Sequence, residues 1–501
     1  MTVTSARRLM QTFARAGLAS CALLFGIASA AEVPTRAVAD WLDRTVPLEM
    51  QRSAMPGFSI AVVADGRIIY AQGFGTRDRA RALPATPDTL FAIGSITKSF
   101  VAIATMQLAE QGKLKLDDPV SRYVPLSLGR ADDPIRVRHL LTHSLGVPSL
   151  GTSTVVLNRE IGFDTGVPFG SVADFYRFVN GAQDEIVTAP GERFFYHNGG
   201  WRILGHVVQR VSGIPFHRYL ENAVIRPMGM TRTTLSRARF EADADHAVFY
   251  RRGADGGLIA APFPLPNVED NPEFGFVTAA GGIASSARDM ARYVGVQLSA
   301  GALEKGRVAS RESFEAMQSP HISVEPDRYG PAAYGYGLHI TPDFLGHRLI
   351  SHSGSVLVST AYLAFVPDLK AGVAMMGNSS GMRFARIAES VLAILAGQDP
   401  EMLPERRVER RIAALTGDYA TYRLLERVKV VASGGMLYLE SPPEIGEAAP
   451  SREPLIPEDP TLASPVFYTL SNGLKSRVTF ETRVDGRIDL CAGSACFHKL
   501  H

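Results

Sequence analysis

An α+β fold followed by a small all-β unit is what this sequence predicts, on three observations. Short apolar runs bounded by turn residues lie near residue 60 and again between residues 334 and 376. Between those two regions the apolar residues recur at helical spacing. After residue 411 only short strand-like runs remain. Strands at both ends of a region, with helices between, imply one sheet assembled from the two ends and a mostly helical lobe in the middle.

The elements follow in chain order. Arg7, Arg8 and Arg15 precede an apolar run from Ala16 to Ala30 that closes on Ala28-Ser29-Ala30. This predicts an export signal over residues 1–30, cleaved before Ala31, because the run is too short to span a bilayer. An uncleaved anchor is the alternative. Leu18-Ala-Ser-Cys21 resembles a lipoprotein box, but the apolar run follows the cysteine instead of preceding it. Pro56 to Gly75 reads as a hairpin around Asp65-Gly66. Ser95 to Gln111 has helical spacing, with Phe100, Ile103, Ala104 and Leu108 on one side and Gly112 as the stop. Helices are also predicted over 171–180, 200–211, 286–298 and 382–395. Strands are predicted over 336–340, 347–351, 361–366 and 371–376. Residues 31–397 thus form the main domain, and 398–411, rich in proline, acid and arginine, a linker. Residues 412–501 form the small β unit, with strands over 428–431, 436–440, 466–470, 477–480 and 487–490 and a polar, proline-rich interruption over 442–460.

Bulk properties exclude several functions. The chain of 501 residues is 46% apolar, long enough for one large domain and a smaller one. Its 52 basic residues are scattered among 50 acidic ones, for a net charge of +2, without the basic stripe that nucleic acid requires. No membrane span is expected after signal cleavage. Removing the signal leaves Cys491 and Cys496 as the only cysteines. They flank Ala-Gly-Ser-Ala as arms of a hairpin, so a disulfide is predicted in an oxidising compartment, periplasmic or secreted. A metal site using both cysteines with His498 and His501 matches no usual zinc spacing, and neither metal nor cofactor is expected.

Three boxes carry the chemistry: Ser95-Ile-Thr-Lys98, Tyr196-His-Asn198 and His352-Ser353-Gly354. A serine hydroxyl is nearly inert at neutral pH and needs a proton acceptor within reach. Lysine three residues on along a helix lies on the same face. Burial beside another cation would lower the lysine pKa, and Tyr196 becomes a base if Lys98 favours its phenolate. With Ser95 in the first turn of its helix, unpaired N–H groups and the helix dipole would stabilise an oxyanion. Asn198 offers an amide to the substrate, and 352–354 form a polar strand to hold it.

Together these boxes resemble the serine β-lactamase and penicillin-binding protein superfamily, in the branch that includes class C β-lactamases, DD-peptidases, D-aminopeptidases and family VIII esterases. Phe91-Ala-Ile-Gly-Ser95, His139-Leu-Leu-Thr-His143-Ser, Pro190-Gly-Glu-Arg-Phe-Phe-Tyr196, Ala280-Gly-Gly-Ile-Ala-Ser-Ser286, Tyr334-Gly-Tyr-Gly-Leu338 and His352-Ser-Gly-Ser355 look like its signature segments. The resemblance spans about residues 40–397. It implies an antiparallel sheet flanked by helices, with the site between sheet and helical lobe. It also implies Ser95 as the acylated nucleophile, Lys98 and Tyr196 exchanging protons, Asn198 binding substrate, and an oxyanion hole from the backbone N–H groups of Ser95 and Ser355. The unit beginning at Leu415-Thr-Gly-Asp-Tyr419 resembles the lipocalin-like β-domain that follows some hydrolases of this superfamily.

Departures from the pattern matter as much. The third box has His352 where β-lactamases have a lysine, so a substrate carboxylate would lose a permanent cation. Lys370-Ala-Gly372 mimics that box but lies in a turn and lacks a hydroxyl. H-x-G occurs among the branch's DD-peptidases and D-aminopeptidases, which favours peptide substrates. The expectation is therefore an exported serine hydrolase that opens peptide amide bonds, including D-amino-acid peptides. A carboxylesterase or β-lactamase with the same acyl-enzyme is the alternative, and a penicillin-binding sensor that does not turn over is a third. The i, i+4 pair His139 and His143 lacks the glutamate of a zinc-protease helix and reads as packing. Gly281-Gly282 reads as close packing beside the cleft. The loops 150–170 and 263–276 would shape the pocket. Oligomeric state is not visible in the sequence.

Overall fold

The computed structural model describes residues 34–160, 162–163, 165–443, 450–471 and 473–500. The expected export segment, with Cys21 and the cleavage point before Ala31, lies outside them, as does His501. A nine-stranded antiparallel sheet organises the larger part of the chain. Its order is Leu83–Pro84, Arg67–Asp78, Gly57–Ala64, Ala371–Gly377, Thr360–Val366, His347–Ser355, His339–Phe344, Gly330–Tyr334, Ile322–Asp327. The ladder from Phe58↔Gly377 to Ala64↔Ala371 joins the two ends of the region, so one sheet does form from both.

Alternation along the central strands separates two cores. Phe58, Ile60, Val62, Val373 and Met375 pack with the helices Thr35–Ser53 and Phe384–Leu395. Ala61, Val63, Ala374 and Met376 face the opposite way, into the core that holds the helix Ala287–Leu298 and the helical lobe. Both faces are covered, so these strands read as unbroken apolar runs. Ser171 and Ser286 start their helices by accepting hydrogen bonds from the N–H groups of Asp174 and Asp289. The helix Thr97–Glu110 differs from its one-sided pattern: every residue from Thr97 to Met106 is buried, because sheet and lobe enclose it. The strand predicted over 336–340 begins instead at His339, since Tyr336 and Gly337 turn the chain, with Gly337 at φ +76°. The edge strand Ile322–Asp327 and its inner neighbour Gly330–Tyr334 are not among the predicted strands; the first is largely exposed and polar, which leaves little periodic contrast.

The 398–411 stretch is mostly helical, and the helix Pro404–Leu415 carries proline in its first turn, where a missing N–H costs nothing. Its Val408, Ile412 and Leu415 pack on the last unit, while Glu405 and Glu409 pair with Arg383, and Glu409 also with Arg386. That last unit is a closed eight-stranded barrel, sealed by pairing of Tyr419 with Lys499. Tyr419, Phe467, Phe480 and Leu490 fill its interior. The interruption expected over 442–460 contains a barrel strand, Ser451–Pro457, whose Leu455 joins this core. Cys491 and Cys496 face each other across the last hairpin with Cα atoms 4.1 Å apart and sulfurs at bonding separation. No described helix is long and apolar enough to cross a membrane.

Candidate active site

Ser95 lies in the 3-10 turn Gly94–Ile96, just before the helix Thr97–Glu110 begins, and not within the helix's own first turn. Two glycines let the end of strand His347–Ser355 press against this turn. A Cβ on Gly354 would stand 1.9 Å from the Ile93 carbonyl oxygen, and one on Gly94, at φ +52°, would stand 2.5 Å from the Ser355 nitrogen. Ser95 and Ser355 consequently line one cavity, together with Asn198.

Lys98, one turn on, is fully buried. Its Nζ lies 2.9 Å from Ser95 Oγ and donates to Asn198 Oδ1 and the Ala280 carbonyl, each at 2.8 Å. Burial first, and the charge of Arg202 second, hold the ammonium well below its ordinary pKa. With two N–H groups committed to carbonyl oxygens, the third direction of Nζ points at the serine hydroxyl, and loss of the proton there would leave a lone pair to accept from Ser95. Asn198 stands at the start of the helix Asn198–Ser212, whose N-cap His197 accepts the Gly200 N–H at 2.8 Å. Its carbonyl is taken by Lys98, so the amide NH2 is the end a substrate can meet.

Tyr196 is 37% exposed overall, yet its ring is crowded by Lys98 Nζ, 4.9 Å from the centroid, and by His143, stacked at 4.2 Å. Burial of the hydroxyl end raises the phenol above its usual pKa, and a hydrogen bond with Ser95 acts in the opposite direction. The expected phenolate is therefore not the resting form; Lys98 is the stronger candidate base. His143 packs, as its spacing predicts, directly against the Tyr196 ring. Both its ring nitrogens face N–H donors, the His197 backbone at 2.7 Å and the Trp201 indole at 2.9 Å. Burial, then the Lys98 charge, hold it well below its usual pKa. His139 Nδ1 accepts the Arg136 N–H, and no group of three or more metal-ligating side chains occurs among the described residues.

His352 sits beside Tyr196, ring centroids 6.3 Å apart. Its Nδ1 lies 2.6 Å from the Ser353 carbonyl and Nε2 lies 2.8 Å from the Tyr334 hydroxyl, which fits a neutral ring donating to the first and accepting from the second. Burial, with the Lys98 charge next, lowers its pKa to about 3. A titration near the ordinary histidine value is thus displaced far into acid. Ser353 is exposed, and strand alternation turns its side chain to the other face from His352 and Gly354. Neither His352 nor Ser353 lines the Ser95 cavity.

That cavity, about 80 Å³, also takes Ser153, Val156 and Leu157 from the helix Thr152–Glu160 and Leu265 and Pro266 from the later loop, the two segments expected to shape it. Gly281 passes close behind, its would-be Cβ 3.4 Å from the Gly94 backbone. A larger hollow of about 790 Å³, lined by Arg122, His206, Arg210 and Glu273 among others, shares no residue with it and has no serine–lysine pair. Lys370 lies in the turn between Thr360–Val366 and Ala371–Gly377, about 20 Å along the ladder from the Thr360↔Ser355 end, as its rejection as a third box requires. Sequence reasoning missed the Ala280 carbonyl, which carries no side-chain signal, and Arg202, one turn past Asn198.

The fold has counterparts among known proteins. The Beta-lactamase family matches residues 42–397, and the Pab87 octamerisation domain matches residues 400–493. The chain is similar to Protein flp of Staphylococcus aureus strain N315, 26% identical over 70% of this chain and 64% of that protein. It is also similar to the putative penicillin-binding protein PbpX of Bacillus subtilis strain 168, 29% identical over 57% of this chain and 63% of that one. It thus spans slightly less than two thirds of the length of these curated relatives. The solved structure of the octameric penicillin-binding protein homologue from Pyrococcus abyssi aligns with a TM-score of 0.82 and 36% identity, covering 92% of this chain and all of that one. Because the first match covers well over half of its length, this chain belongs to the beta-lactamase family.

Proposed function

We propose that this chain is an exported serine hydrolase that opens peptide amide bonds, including those of D-amino-acid peptides, through an acyl-enzyme on Ser95. One observation carries the reading: the buried Lys98 Nζ, 2.9 Å from Ser95 Oγ, has its other hydrogen-bonding directions filled by Asn198 Oδ1 and the Ala280 carbonyl. In the first step Ser95 Oγ bonds to the substrate carbonyl carbon while its proton passes to Lys98. The carbonyl π pair moves onto oxygen, and the backbone N–H groups of Ser95 and Ser355 receive that oxyanion. Tyr196, protonated at rest, gives its proton to the leaving nitrogen as the C–N bond breaks and regains one from Lys98. Water then repeats the sequence on the ester, releasing acid and restoring the serine. Asn198 orients the substrate carbonyl through its NH2 group. His352 and Tyr334 form a neutral wall beside Tyr196.

Export rests on the N-terminal run and on Cys491 and Cys496, whose placement suits a disulfide. The barrel is an assembly element, supported by the domain match over 400–493 and by the octameric neighbour; light scattering of the purified chain tests it. The activity test is a panel of a D-Ala-D-Ala peptide, a D-amino amide, a short-chain nitrophenyl ester and a cephalosporin, each with Ser95→Ala as control. Turnover of a peptide or amide that vanishes in Ser95→Ala supports the proposal. Turnover of the ester or cephalosporin alone moves the substrate class, and a stable acyl adduct from the cephalosporin without turnover replaces the hydrolase with a sensor.

A further inference from the structure

Arg202 is 3% exposed and has no carboxylate within ion-pairing distance among the described residues. The contrast with Arg386 is direct: equally buried, that residue pairs with Glu49 and Glu409. Arg202 instead donates from Nε to the Val277 carbonyl at 3.0 Å and from Nη1 to Thr152 Oγ1 at 2.7 Å. Its remaining directions meet only Ser153 Oγ, at 3.4 and 3.5 Å. A guanidinium with five N–H groups is thus held by neutral acceptors, two of them short. Burying a charge in this way is costly unless an opposite charge arrives to join it. Burial lowers its pKa only to about 9, so it stays charged at neutral pH.

Its position says where that partner would come from. Arg202 lies four residues past Asn198 on one helix face, and both line the cavity that holds Ser95. Val156, Leu157 and Leu265 supply an apolar part of its wall, beside which opposite charges attract more strongly than in open water. The third box, where a cation would otherwise meet a substrate carboxylate, offers only the neutral His352. We propose that Arg202 anchors a carboxylate carried by the molecule that acylates Ser95, which makes the site selective for anionic substrates. This rests on the Ser95 acyl-enzyme reading and specifies its substrate class.

The carboxylate can be an acidic side group of the acyl part or the free end of a peptide, and two substrate pairs separate these sources. One pair is the nitrophenyl hemiester of glutaric acid and its neutral carboxamide analogue. The other is a D-Ala-D-Ala peptide with a free and with an amidated terminus. In the wild type, kcat/KM for the acid exceeds that for its neutral partner on the order of tenfold or more in one pair. That ratio falls to about one in Arg202→Met and largely returns in Arg202→Lys. Taking the ratio within each variant cancels any change at Lys98. It also stays constant from about pH 5.5 to about pH 7.5, because a guanidinium with a pKa of about 9 stays charged there. A wild-type ratio near one in both pairs overturns the proposal without any variant, as does a ratio that survives Arg202→Met. Absence of Ser95-dependent turnover for all four compounds instead sinks the hydrolase reading and this proposal with it.

Discussion

Replacing Gly354 by alanine tests whether the contact between strand His347–Ser355 and the Ser95 turn sets the reactive geometry. The added Cβ would lie 1.9 Å from the Ile93 carbonyl oxygen and 2.9 Å from its carbon. Real Cβ atoms essentially never come within 3.0 Å, and 3.4 Å is ordinary contact, so strand and turn must part by about 1.1 to 1.5 Å. Both obstructing atoms are backbone, and no side chain can yield to spare them. The displacement falls on Ser355 and Ser95, whose N–H groups are the proposed oxyanion donors. A shift of about 1 Å in a reacting geometry costs on the order of 100-fold in rate. Overpacking of this kind costs about 1–3 kcal/mol of stability, a few degrees in Tm. The assay is the single-turnover acylation rate with a nitrophenyl ester, with thermal unfolding followed in parallel. Gly295→Ala serves as control, because its Cβ would meet nothing within 4 Å on the helix Ala287–Leu298 and helical alanine is the better residue. Gly354→Ala acylating within threefold of wild type, at an unchanged Tm, would show that this contact does not set the reactive geometry.

Two further outcomes are expected. Activity should rise with pH along a limb that reports loss of the Lys98 proton, centred below the ordinary lysine value of 10.5, with no inflection near 6.5 because His352 is already neutral there; a step at 6.5 that disappears in His352→Asn would contradict this, and Arg202→Met should move the limb to higher pH by removing a neighbouring cation. Buried Glu389, bonded to the Tyr329 hydroxyl at 2.8 Å, has its pKa raised from 4.5 to about 7, chiefly by burial. Its native form binds the proton more tightly than the unfolded chain, so the stabilisation is complete below about pH 4.5 and is lost as pH rises through about 7. The effect is at most about 3 kcal/mol. Glu389→Gln should flatten the fall in Tm between pH 5 and pH 8, and identical slopes in the two proteins would remove Glu389 from that role.

Legibility in the sequence tracked how local the determining interaction is. Ser95 and Lys98 are joined by one helical turn, so their proximity follows from spacing, and Ser171 and Ser286 mark helix starts for a similar reason. The strand Gly57–Ala64 was visible as an apolar run, and the two-ended pattern placed it in one sheet with the later strands, but its ladder with Ala371–Gly377 appears only in the structure. The edge strand Ile322–Asp327 was not, since a largely exposed, polar strand lacks the contrast that periodicity detects. Ser451–Pro457 was hidden by its prolines and charges. The phenolate expectation for Tyr196 failed for a different reason. It depended on a neighbouring cation favouring the phenolate, whereas burial dominates at that hydroxyl and only the Ser95 hydrogen bond acts against it.

By itself, the sequence determined the chemical vocabulary: a nucleophile with an amine one turn away, a phenol and an amide two residues apart, and a polar strand ending in glycine. Periodicity and turn residues also determined the α+β class and the separate β unit, because these are effects of neighbours along the chain. Tertiary structure alone decided the charges. Lys98 is depressed, His352 is neutral and Arg202 is unpaired because of what surrounds them. Desolvation and long-range Coulomb forces act through space, and residues a hundred positions apart supply them.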